Sequence, residues 1–154
     1  MPSGFLKDLV DHKSRVAGYM QWCANDLSHR ASVHDNSKFG EEEFEPYDAA
    51  FSELQKYPYG SEELKAVYKS IKPALQHHFE ANDHHVEHFE NGINDMTTIQ
   101  LTEMICDWLA SSERSQTSIM TGLEINKEKY GIDDQTYRII VNTAKHLAPE
   151  KFQV

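Results

Sequence analysis

Nine histidines stand among 154 residues, and five of them fall between positions 77 and 88, in the run HHFEANDHHVEH. Elsewhere the chain offers His12, the adjacent pair His34 and Asp35, and Asp107 beside Trp108. Imidazole mixed with carboxylate is a donor set for a borderline divalent metal such as Mn, Fe, Co, Ni or Zn, whereas Mg and Ca favour oxygen alone. Two spacings add cations. His12 and Arg15 are three apart and His34 and Lys38 four apart, so on a helix each histidine shares a face with a positive group able to hold a phosphate. Each feature also has an ordinary reading. A lone histidine at a helix boundary, a His–Asp dipeptide or an acid beside an apolar stripe occurs in many proteins, and a histidine run can be a solvated face. His29 and His146 have no partner pattern and read as structural.

These residues are far apart in the chain, so only a folded core can bring them together. With 39% hydrophobic and 26% charged residues, 154 residues suffice for one globular domain, 1–154. Fifteen Lys and Arg against 25 Asp and Glu leave a net charge of −10. Such a chain repels a long duplex nucleic acid, but a small phosphorylated ligand stays compatible because bound metal ions reverse the local sign. Cys23 and Cys106 form no CxxC pair, which excludes a disulfide framework and a cysteine-built zinc site and fits a reducing, cytoplasmic setting. No apolar run approaches the ~18 residues of a bilayer span. The opening MPSGFLKDLVDHK lacks a positive region followed by an apolar stretch, so neither membrane nor export signal is expected.

Helical periodicity dominates, and the expected fold is an all-α, single-domain helical bundle. Leu6, Leu9, Val10, Val16, Ala17, Met20, Cys23 and Leu27 give one buried stripe on a first helix running from a Ser3 cap to about Leu27. Ser28 to Gly40 reads as a short helix or turn, and Glu41, Glu42 and Glu43 open the next helix, with Pro46 tolerated near its start. Tyr57 to Gly60 is a loop. Ser61 starts a helix through Leu64, Val67, Ile71 and Leu75, which Pro73 is expected to kink, and Asn82 and Asp83 break the chain before a new turn at His84. Thr98 to about Ser115 buries Leu101, Met104, Ile105, Trp108 and Leu109. A last helix, opened by Asp133 or Asp134, uses Tyr137, Ile140, Val141, Ala144 and Leu147.

The order His, then His–Asp, then further His, then Asp, all on helices, resembles the HD superfamily of metal-dependent phosphohydrolases. HKSRVA at 12–17 looks like that family's first-helix pattern, HDNSK at 34–38 like its HDxxK signature, and Asp107 stands where it carries its final aspartate. More narrowly, HDNSKF, HHFEANDHHVEHF and EMICDW together are similar to a small family of bacterial and phage proteins without an assigned activity. The resemblance implies a helical bundle with a metal site between helices. It puts His12, His34, Asp35 and Asp107 in the four core ligand positions, with His78 and His85 completing a second ion and Asp35 bridging. One or two divalent ions are implied.

On that reading the chain is a phosphohydrolase acting on a small phosphorylated metabolite, a nucleotide being the favoured class. Lys38 and Arg15 would hold the phosphate, and His84 or His88 would protonate the leaving oxygen. A diiron oxygenase on the same fold and a protein that only binds a nucleotide or a partner are the alternatives. Phe39, Phe44, Tyr47, Tyr57 and Tyr59 are candidates to stack on a base, or else pack in core and loops. A homo-oligomer is compatible with the sequence, which leaves the oligomeric state open.

Overall fold

A computed structural model of the chain describes residues 3–115 and 117–153. The described residues form seven α-helices joined by loops and four short 3-10 turns, with no strand among them. The all-α expectation holds. The sequence reads as one unit over 1–154; the contacts instead divide it into two, Met1–His34 and Asp35–Val154.

The first unit is one helix, α1 (Gly4–Val33). The Ser3 hydroxyl caps it by accepting from the Leu6 N–H at 3.3 Å. The helix continues six residues past Leu27, because Ser28 and Ser32 turn their hydroxyls back onto the carbonyls of Ala24 (2.8 Å) and His29 (2.6 Å) instead of breaking the ladder. The expected buried stripe is not buried. No residue of α1 is, and Met20 keeps 67% of its surface exposed.

The second unit opens at Asp35 and a 3-10 turn over Asn36–Phe39, followed by α2 (Glu41–Leu54) with its three leading glutamates in place. Next come α3 (Glu62–Ser70), capped by Ser61, and α4 (Lys72–Ala81). Pro73 does not kink a continuous helix. It sits in the first turn of α4, where its missing N–H costs nothing, and the break falls at Ile71 just before it. Asn82 ends α4, and the new turn after the break spans Val86–His88.

Three further helices hold the main core: α5 (Thr98–Arg114), α6 (Ile119–Tyr130) and α7 (Asp134–Leu147). A full capping box of Thr97 and Gln100 starts α5, and the Asp133 carboxylate starts α7 by accepting from the Gln135 and Thr136 N–H groups. The apolar spacing does not mark α6, although Ser118 caps its start and Gly131 closes its end in the left-handed region at φ +61°. Met104, Ile105, Leu109, Leu123, Ile140 and Ala144 pack together between the three, while Leu147, at the end of α7, stays 48% exposed. Glu87 accepts from Lys129 Nζ (2.8 Å) and the Tyr130 hydroxyl (2.9 Å), tying the histidine-rich segment to α6.

Ile140 has no exposed surface, and truncating it leaves a cavity at the centre of this core. Ile140→Ala is expected to lower unfolding free energy by about 2–5 kcal/mol, against less than about 0.5 kcal/mol for Ile139→Ala on the open face. Urea denaturation of both variants measures the difference.

Candidate metal centre

Asp35 starts the site with an unusual backbone. Among the described residues it is the one non-glycine with positive φ (φ 57°, ψ 17°), a conformation that aspartate tolerates better than most side chains. The Lys38 N–H closes the following turn on the Asp35 carbonyl at 2.9 Å, and Lys38 Nζ returns to Asp35 Oδ2 at 2.6 Å. His34, which the sequence places on one helix face with Lys38, is the C-terminal cap of α1, whereas Lys38 lies in the 3-10 turn. They share no helix face.

Three imidazoles gather around the Asp35 carboxylate, two of them against Oδ1. His78 Nε2 lies 3.4 Å from it and His84 Nε2 3.5 Å, and His85 Nε2 is 2.9 Å from His78 Nε2. One donor atom from each of Asp35, His78, His84 and His85 falls within 4.8 Å of every other. Two donors on one ion with bonds of about 2.0–2.1 Å lie roughly 3.0–3.4 Å apart, so the cluster has the dimensions of a single coordination shell. A carboxylate oxygen of Asp107 also lies within 4.8 Å of one of Asp35, and its negative charge acts on His85.

Carboxylates behind the ring nitrogens set the direction of the donors. Glu43, with no exposed surface, accepts from His78 Nδ1 through Oε2 (2.8 Å) and from His77 Nδ1 through Oε1 (2.7 Å). A carboxylate only accepts, so the His78 proton resides on Nδ1 and its Nε2 lone pair faces the cluster. Glu103 Oε1 stands 3.3 Å from His84 Nδ1 and orients that ring in the same way. Asn82 locks the His78 turn, donating from Nδ2 to the His78 carbonyl (2.8 Å) and to the Ser37 hydroxyl (2.7 Å).

The electrostatics keep the acids charged and lower the proton affinity of two of the imidazoles, His78 and His85. Burial would raise the Asp35 pKa, but the His84 hydrogen bond and the Lys38 charge outweigh it and hold the carboxyl far below its ordinary value. Burial also opposes ionisation of Glu43, and hydrogen bonds from His77 and Ser37 with the His78 charge reverse the balance. Burial and the neighbouring Lys38 charge push His78 down; burial and the charges of His84 and His78 push His85 down to about 3. Ionised carboxylate beside neutral imidazoles is the protonation state a divalent cation binds.

Several sequence expectations are thus rearranged. The structure brings Asp35, His78 and His85 together, with Asp107 close by. His84, expected to deliver a proton, is a fourth member of the donor cluster. His88, its alternative, is exposed and bonds the Phe79 carbonyl through Nδ1 at 3.0 Å, outside the cluster. His12 and Arg15 lie within a continuous helix, 22 and 19 residues before His34, which at ~1.5 Å per residue separates them from it by roughly 33 and 28 Å. They cannot share a site with His34 of their own chain. Of the aromatics, Tyr47 packs edge-on against His78 and Tyr59 donates to Asn126 Oδ1 (2.6 Å), with its phenol pushed up to about 12 by burial, whereas Phe39 is 80% exposed. Glu43, Glu103, Ser37 and Asn82 escaped the sequence reading. Three of them stand inside quoted words, HDNSKF, HHFEANDHH and EMICDW, at polar positions with no helical periodicity to mark them.

Among known proteins, the chain belongs to a family described as of unknown function, DUF5662, whose profile matches residues 1–149. No curated protein and no solved structure matches it.

Glu43→Gln keeps the shape but replaces one acceptor oxygen with a donor facing an N–H. Binding of Zn or Co, followed by calorimetry or the Co(II) visible spectrum, is expected to weaken about 10–100-fold in this variant and to vanish in His78→Ala. The low His85 pKa also has a sign. Between 6.5, the ordinary value, and about 3, the unfolded chain binds a proton that the folded one refuses, so stability of the metal-free protein falls as pH drops through that window. Urea midpoints from pH 7 to 5, above the range where carboxylates titrate, should fall less steeply for His85→Gln than for the native chain.

Proposed function

We propose that this member of a family of unknown function is a metal-dependent phosphohydrolase acting on a small phosphorylated metabolite, with a nucleotide as the favoured class. The reading rests on one observation above all. The same carboxylate that faces two histidine nitrogens through Oδ1, with His85 beside them, holds a lysine ammonium through Oδ2, so a donor cluster and a phosphate-binding cation are joined at Asp35.

Asp35, His78, His84 and His85 would hold a divalent ion, with Asp107, whose carboxylate lies within 4.8 Å of that of Asp35, available to a second. When bound, such an ion supplies a Lewis acid for the phosphoryl oxygens and a nucleophile at neutral pH. The three-imidazole set favours Mn, Fe, Co, Ni or Zn over Mg. Lys38, 39% exposed at its side chain, exchanges part of its pairing with Asp35 for a phosphoryl oxygen and offsets the charge that grows there in the transition state. Glu43 and Glu103 keep the imidazoles aimed, so no reorganisation is needed as charge moves. Phe39, next in the chain to Lys38, offers an open aromatic face to a base.

Protein loaded with Mn, Co, Ni, Fe or Zn is expected to release phosphate from at least one member of a nucleotide and sugar-phosphate panel. Asp35→Asn retains a side chain suited to the left-handed backbone and should lower turnover at least ~10³-fold. Lys38→Ala should lower kcat/KM by about 10²-fold while metal content stays that of the native chain. Metal-replete protein that is inert across the panel refutes the reading.

A further inference from the structure

Among the described residues fourteen large hydrophobic side chains are left exposed, and nine of them lie on α1. A helix of 30 residues gains most of its stability by burying one face, and α1 has no buried residue of its own. Four of these nine, Leu6, Leu9, Val16 and Met20, follow with Cys23 and Leu27 the three-four alternation of a coiled-coil seam, with Lys13 and Arg30 in the same register; Phe5, Val10, Tyr19, Trp22 and Val33 lie off it.

We infer that α1 pairs with α1 of a second copy of this chain, antiparallel and across a two-fold axis near residue 18. Charge selects both the partner and its direction. The unit Asp35–Val154 carries eleven Lys and Arg against twenty-two Asp and Glu, so two copies repel through their bulk. Residues 1–34 carry four against three and are where copies can approach. Parallel pairing would stack Lys13 on Lys13 and Arg30 on Arg30 within the seam. Antiparallel pairing instead sets Leu9 against Leu27 and Val16 against Met20, faces Lys13 with Cys23, and brings Lys13 and His12 beside Asp26 of the second copy. The isologous contact repeats each pair twice. A helix of this length is about 45 Å long and ~10 Å across, so pairing along it covers on the order of 1,200 Å² over both copies, the lower bound of specific interfaces.

Sedimentation equilibrium of the full chain is expected to give a dimer. Met20→Lys should weaken dimerisation at least 100-fold while the chain still binds zinc with native stoichiometry, which reports that the second unit remains folded. Independently of that variant, Lys13→Cys under mild oxidation should form a disulfide to Cys23 of the other copy, located by peptide mass spectrometry. A monomeric native chain, a dimer untouched by Met20→Lys, or disulfides joining only 13 to 13 and 23 to 23 would overturn the pairing.

Discussion

A carboxylate with no exposed surface has to satisfy its oxygens inside the protein, and the arrangement of the second unit follows from how Glu43 does so. Each oxygen takes one N–H, from His77 and from His78, so a residue of α2 and the adjacent histidines of α4 are held in one geometry. Removing either histidine leaves a buried acceptor short of a donor, a cost of about 1–3 kcal/mol or more for a charged group. The hydrogen bonds that stabilise the α2–α4 packing are therefore the ones that fix the tautomer of a cluster histidine. Stability and donor geometry are not separable here.

Glu103 repeats the device from another element. It reaches His84 from α5, whose opposite face carries Met104, Ile105 and Leu109 into the main core. Two rings of the cluster are thus aimed from two helices. The Glu87 contacts with Lys129 and Tyr130 anchor the connecting segment to α6. A rigid frame of this kind is what a preorganised site requires, because side chains free to rotate would lose entropy again at every binding event.

What the sequence disclosed and what it withheld have a common physical cause. Helix class and most boundaries come from local signals, namely the Ser3, Ser61 and Asp133 caps and the three-four spacing of apolar residues, and these were legible. The stripe on α1 was legible too, but whether it is covered depends on what lies beside it, which spacing does not encode. Likewise the histidine run identified the donors, while their sorting into His78, His84 and His85 within the cluster and His77 and His88 outside it depended on where Glu43, Asp35 and Phe79 lie in space. His12 failed for a simpler reason. The serines after Leu27 prolong the helix rather than end it, and an unbroken helix carries its two ends apart.

The left-handed turn at Asp35 narrows what this position can become. Glycine and asparagine would sit there without torsional penalty, yet neither brings a negative charge to the imidazoles; glutamate would bring the charge but tolerates the backbone less well and carries its carboxylate one methylene farther out. Drift at position 35 is closed from two independent directions, so a homologous chain that lacks aspartate there should also lack this donor cluster.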